Sequence, residues 1–168
     1  MRKVLFFSVT LLLLANTLHA ISEVDSLKIA LLDASIDKRV IILNTLATKY
    51  WYIDPDSSVY FAETALELAR VRDNKEEEAE ALHKLGGAYY FLSDYSNALE
   101  NYKQSLLIRE ELKDNEGVAN LSNNIGMIYQ ELGSYDKALD NYMIALQFYE
   151  TSQNEKKIAV ILLSLIHI

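Results

Sequence analysis

Hydrophobic positions in the second half of this chain recur at steps of three and four, the signature of an amphipathic helix. Tyr135, Ala138, Leu139, Tyr142, Ala145 and Leu146 make one such stripe. The stripe has a twin. Leu85-Gly86-x-x-Tyr89, Leu92, Tyr95, Ala98-Leu99, Asn101-Tyr102 and Ser105-Leu106 align with Ile125-Gly126-x-x-Tyr129, Leu132, Tyr135, Ala138-Leu139, Asn141-Tyr142 and Ala145-Leu146, a shift of 40 residues. A glycine, an aromatic residue and an alanine in register mark an internal repeat. Each copy reads as two helices, with Asp94 and Ser134 in the N-cap position of the second.

A more diverged copy precedes these. Leu46-Ala47-x-x-Tyr50 matches the first helix at a shift of 39, and Ser58, Ala62, Ala65 and Leu66 match the second at a shift of 40. Asp54-Pro55 supplies its cap and first turn, and the change of shift puts a one-residue deletion in the turn between the two helices. The units span about 39–73, 79–112 and 119–152, and the in-phase Ala79, Ala119 and Ala159 start a fourth. Val24 to Ala34 reads as a short amphipathic helix within a capping segment, 21–38.

Glycine inside a helix costs about 0.5–1 kcal/mol relative to alanine. Gly86 and Gly126 accept that cost at equivalent places, which predicts a partner helix packed too close for a side chain. Ala98 and Ala138 suit the same contact from the opposite helix, while Tyr89, Tyr102, Tyr129 and Tyr142 fill the space between hairpins. Phe148, Tyr149 and Tyr90 also read as packing residues.

This pattern resembles the tetratricopeptide repeat family, from Arg39 to Leu162. The usual unit has about 34 residues; the longer units here are similar to a long-period subgroup, with the additions in Lys113–Val118 and Asn154–Ile158. The resemblance implies an all-α fold, a right-handed α-solenoid of helix-turn-helix repeats whose concave face is lined by first helices and holds a peptide or protein partner. On that face fall Ile41, Asn44, Thr48 and Trp51 in the first unit, Glu80, His83, Gly87 and Tyr90 in the second, and Asn120, Asn123, Met127 and Gln130 in the third, with Asn124 alongside. Asparagine both donates to and accepts from a peptide backbone. Trp51 is either an aromatic anchor for a ligand or a packing residue.

Composition narrows the remaining choices. A single proline and five glycines among 168 residues leave few helix breakers. The formal net charge is −8, with no basic cluster, which disfavours nucleic acid as a partner. Absence of cysteine excludes disulfide and thiolate chemistry. His83 stands apart from His19 and His167, so no metal-ligating pair forms, and no cofactor fingerprint or nucleophile motif occurs. No catalytic residue is assigned. Glu76, Glu77, Glu78 and Glu80 read as a solvated acidic helix start, favoured by the helix dipole.

Met1-Arg2-Lys3, the apolar stretch Val4 to Leu14 and the small Ala20 have the layout of a signal peptide, residues 1–20. Membrane contact is expected only through this segment or a downstream span. The layout predicts export to a bacterial periplasm or the periplasmic face of the inner membrane. Residues 163–168 match what a sequencing adapter encodes in one frame, so the natural sequence is expected to continue past Leu162. Long-period repeats of this kind are similar to the exported sensory regions of bacterial histidine kinases and regulators. The alternative is a free-standing exported scaffold for assembling other proteins.

Overall fold

The computed structural model describes residues 23–166, in which eight helices and no strand occur. The leader expected at 1–20 lies outside the described residues. Helix α1 covers 23–33, followed by α2 (Ile36–Tyr50), α3 (Pro55–Val71), α4 (Lys75–Phe91), α5 (Tyr95–Glu111), α6 (Asn115–Glu131), α7 (Tyr135–Thr151) and α8 (Glu155–Ile166). Each helix from α2 onward packs on its neighbours in sequence, and α2 also touches α4. The result is an α-solenoid of antiparallel hairpins, α2–α3, α4–α5 and α6–α7, with α8 beginning a further turn of the stack.

From α3 to α7 every helix has 17 residues. Every junction from α3 to α8 has the same design. A right-handed C-cap residue is followed by one residue at positive φ (Asp73, Ser93, Lys113, Gly133 or Gln153) and then by an N-cap residue. The N-cap amide donates back to a carbonyl five residues earlier, as Asp94 N to Tyr89 O and Ser134 N to Tyr129 O do. This bond satisfies a carbonyl left over at the helix end. Side chains of Asn74, Asp94, Asp114 and Asn154 then accept the amide three residues on. Ser134 occupies its cap position as expected, but its hydroxyl makes no capping bond. The long period therefore lives in the helices, with connections as short as three residues.

The first hairpin departs from this rule. Its missing residue does not come out of the turn. Helix α2 ends at Tyr50, two residues short of the equivalent point, and the connection lengthens to the four residues 51–54. Pro55 opens α3, and the residue before it, Asp54, lies out of helical geometry at φ −158° and ψ 88°. Asp54 still caps α3, accepting from the Ser57 amide at 3.3 Å and its hydroxyl at 2.6 Å.

Gly86 and Gly126 face tyrosine rings, so Tyr102 and Tyr142 pack inside the hairpins and not only between them as expected. A Cβ on Gly86 would lie 2.6 Å from Tyr102 Cε1, and one on Gly126 would lie 2.8 Å from Tyr142 Cε1. Both tyrosines are buried. Burying a ring removes about 150–250 Å² from water, worth roughly 4–6 kcal/mol at 25 cal/mol/Å², so the glycine penalty is the smaller term. In the first unit the equivalent pair is Ala47 and Ala62, both fully buried: a methyl group appears where the ring is lost. Buried hydroxyls complete the seams, with Ser58 Oγ donating to Ala47 O at 2.7 Å and Ser105 Oγ to Ala79 O at 2.6 Å.

Two further expectations need correction. Tyr135 and Leu139 belong to the predicted buried stripe but are 49% and 44% exposed. Their counterparts Tyr95 and Leu99 pack against the core of α6, whereas only α8 follows α7 among the described residues. The acidic start of α4 is not a solvated face either. Glu78 is buried between Arg70 at 3.0 Å and Lys75 at 2.7 Å, and Glu77 pairs with Arg72 at 2.7 Å. In α8, Ile161 is buried against the α7 core while Val160, Leu162 and Leu163 stay exposed.

Replacing Gly86 by alanine should cost about 1–3 kcal/mol through overpacking against Tyr102. Adding Tyr102→Ala should cost much less than the two single changes summed, reproducing the first unit's solution. Urea denaturation of the three variants measures the coupling; strict additivity would refute the contact.

Candidate functional site

The first helices α2, α4 and α6 present their predicted face to three cavities. The first, about 420 Å³, is walled by Ile41, Asn44, Thr48 and their neighbours on α2 and by Glu76, Glu77, Glu80 and Lys84 on α4. A second, about 380 Å³, shares Glu80 and Lys84 and adds His83, Arg109, Asp114 and Asn120. The third, about 350 Å³, lies between Asn123 and α8, with Tyr149, Lys156 and Lys157 in its wall. Seven of the positions read from the sequence, Ile41, Asn44, Thr48, Glu80, His83, Asn120 and Asn123, thus line one series of cavities.

The other six are engaged within the array. Trp51 packs on Gly87, where a Cβ would fall 2.6 Å from the indole Cε2, and its Nε1 donates to Lys84 O at 3.2 Å. Of the two roles open for Trp51, packing between neighbouring units is the one the structure fills. Tyr90 stacks among Phe91 and Tyr95, with ring centroids 5.5 and 5.9 Å away. Gln130 Oε1 accepts the Tyr142 hydroxyl at 2.7 Å. Met127 takes a weak bond from Asn123 Nδ2, at 3.7 Å to sulfur. Asn124 Nδ2 meets His83 Nε2 at 2.9 Å, tying α6 to α4.

An ionic cluster holds the floor of the second cavity. The Arg109 guanidinium, which reaches in from α5, pairs with both Glu80 and Asp114, and Lys84 bridges to Glu80 at 2.9 Å. Gly117 makes room for it, since a Cβ there would sit 2.7 Å from Arg109 Nη1. Burial alone would raise the Glu80 and Asp114 carboxyls. For Glu80 the charge and hydrogen bond of Lys84 outweigh that, and for Asp114 the Gly117 amide and Arg109 do, so both end below the usual carboxylate range. His83 is pushed down to about 4, first by burial and then by the Lys84 charge; Glu80 opposes the shift, and Arg109 and Lys157 add to it. The ring is therefore neutral at pH 7, and its Nε2 accepts from Asn124 if the proton sits on Nδ1.

Lys84, Arg109, Asp114 and Lys157 were not singled out by sequence reasoning. Arg109 sits on a second helix, and its equivalent in the third unit is Tyr149, so the repeat pattern conceals it. One signal was available: Gly117, a glycine in a first helical turn that an N-cap alone does not require. No group of three or more metal-ligating side chains occurs among the described residues.

Because the unfolded histidine titrates near 6.5 and the folded one near 4, only the unfolded chain takes up a proton between those values. Stability should thus fall as pH drops through this window, by on the order of 1–3 kcal/mol, and stay level above it. Denaturation midpoints at pH 7 and 5 measure this, and His83→Gln, which keeps an acceptor for Asn124, should remove most of the slope.

Comparison with known proteins places this geometry. Residues 77–151 match the tetratricopeptide repeat model. No curated protein matches the chain. Among solved structures, the tetratricopeptide domain of Arabidopsis FLU is 23% identical, with a TM-score of 0.65 over 70% of this chain and 99% of that one. A Rap protein complexed with competence and sporulation factor is 20% identical, with a TM-score of 0.76 over 89% of this chain. Aspartyl phosphate phosphatase F from Bacillus subtilis is 16% identical, with a TM-score of 0.70 over 80%. The matches span only 43% and 39% of those two proteins, and at these identities the likeness is one of fold. Residues 77–151 of this chain are tetratricopeptide repeats.

Proposed function

We propose that this chain is a peptide- or protein-binding module whose ligand lies along the cavities of α2, α4 and α6. The observation that carries the reading is the split among the polar groups of that face. Most are consumed by partners within the array, but Asn44 Oδ1 and Asn123 Oδ1 are buried and accept no bond from any described residue. A buried acceptor left unmade costs about 1–3 kcal/mol. Backbone amides of an extended ligand would relieve it at two points 79 positions apart in sequence and equivalent in the repeat. The Rap complex, a protein of this fold holding another molecule, supports the same view.

We further propose that the module is exported and forms the sensory part of a larger bacterial signalling protein. The basic-apolar start of the sequence and the long repeats support this. Ligand binding would favour one curvature of the stack over another, with the His83–Asn124 bond coupling neighbouring units. Nothing in the site assigns it a reaction, and the phosphatase named above shares its fold alone.

Peptides selected from a random displayed library should bind the chain and lose about tenfold or more in affinity to an Asn44→Ala, Asn123→Ala double variant whose melting temperature is unchanged. Unchanged affinity would move the ligand to another surface. Export is checked by fusing residues 1–40 to alkaline phosphatase in a bacterial host; an enzyme left inactive in the cytoplasm would overturn that part. Reading the genomic DNA past the Leu162 codon tests the signalling context. A membrane span and signalling domain are expected, and a polar capping helix with a stop codon would indicate the free-standing scaffold instead.

A further inference from the structure

The first cavity differs from the third in the sign of its wall, and this difference defines what it takes. We infer that the cavity between α2 and α4 is a subsite for a basic side chain, lysine or arginine, of a bound peptide. The assignment rests on the groove reading above and adds to it the identity of one ligand residue.

Three features carry it. On the α2 wall, Val40, Ile41 and the methyl groups of Thr45 and Thr48 offer an apolar surface, on which the methylene stem of a long cationic side chain packs. Asn44 lies among them, only 7% exposed, its Oδ1 without a partner among the described residues. The last torsion of an asparagine is soft, so its amide turns an oxygen toward the cavity at little strain. An ammonium or guanidinium has only donors to offer, which suits an acceptor. On the α4 wall stand Glu76, Glu77 and Glu80.

The charges around those carboxylates leave one open. Glu77 is held by Arg72, and Glu80 by Lys84 and Arg109. Lys49, the other cation of the cavity, bridges to Glu23 at 2.8 Å. Glu76 is exposed and makes no ion pair with any described residue. A cation entering the cavity therefore finds a free carboxylate on one wall and, once the Asn44 amide turns, an unpartnered carbonyl oxygen on the other. The acidity is local and does not simply follow from the net charge of −8, because the third cavity has Lys156 and Lys157 in its wall instead.

Three capped tripeptides test this: acetyl-Gly-Lys-Gly-amide, its norleucine analogue, which keeps the stem but lacks the ammonium, and its glutamate analogue. Each is titrated into the isotope-labelled chain while the Asn44 side-chain amide and Ile41 methyl resonances are followed. The lysine peptide should move these signals and bind about tenfold or more tightly than the norleucine one, with glutamate weakest. Glu76→Gln, an exposed change that leaves the core untouched, should reduce the lysine preference several-fold, and Asn44→Leu should reduce it further. Equal affinity for lysine and norleucine, or an undiminished preference in Glu76→Gln, would overturn the assignment. The broader reading fails separately. If displayed peptides bind the groove with no basic residue near Asn44, the groove stands and this subsite falls; if no peptide perturbs α2, α4 or α6, both fall.

Discussion

At every junction from α3 to α8, one backbone amide reaches back five residues to the carbonyl of the preceding helix, at 2.8 to 3.1 Å. That bond forms only if the residue before it sits at positive φ, which four of the five junctions ask of a residue other than glycine. The whole array depends on this closure. Because each of these turns consumes three residues and each helix from α3 to α7 has 17, side chains return to the same environment every second helix. A longer connection would rotate the next helix and take the tyrosines off their glycines.

With the register fixed, each unit is free to fill its positions with different chemistry. At one site linking a first helix to the end of the second, the first unit has Ile41 and Ala69, which cannot hydrogen-bond through their side chains. The second has Glu80 and Arg109 as an ion pair, and the third has Asn120 accepting the Tyr149 hydroxyl at 2.7 Å. The same freedom exchanges Gly86 and Tyr102 for Ala47 and Ala62. A repeat protein tolerates this because each unit answers only to its neighbours. Consequently the face of the first helices carries a different electrostatic character at each cavity, which is what a binding surface needs to read one ligand and reject others.

Binding residues and packing residues share that face. Trp51, Gln130 and Asn124 stand at positions where a ligand contact is expected, yet each is tied to a neighbour by a bond or a close packing contact. What stays open is decided by subtraction. Asn44 and Asn123 keep unmet acceptors, Glu76 keeps its charge, and the proposed ligand chemistry follows from these remainders.

The sequence by itself determined the helices, the repeat and its phase, since glycine, alanine and tyrosine at fixed spacing leave little choice of packing. Gly86 and Gly126 announced a close contact, and Asp54, Asp94 and Ser134 announced helix starts, because these signals are local. It also located the face that lines the cavities. Only the tertiary structure decided which residues of that face remain available. Arg109 enters from a second helix, Trp51 slides onto a glycine 36 residues away, and Glu78 disappears between two cations. The contacts of Arg109 with Glu80, of Trp51 with Gly87 and of Arg70 with Glu78 each join separate elements, and their existence depends on how closely two backbones approach, a distance that no spacing along one helix encodes.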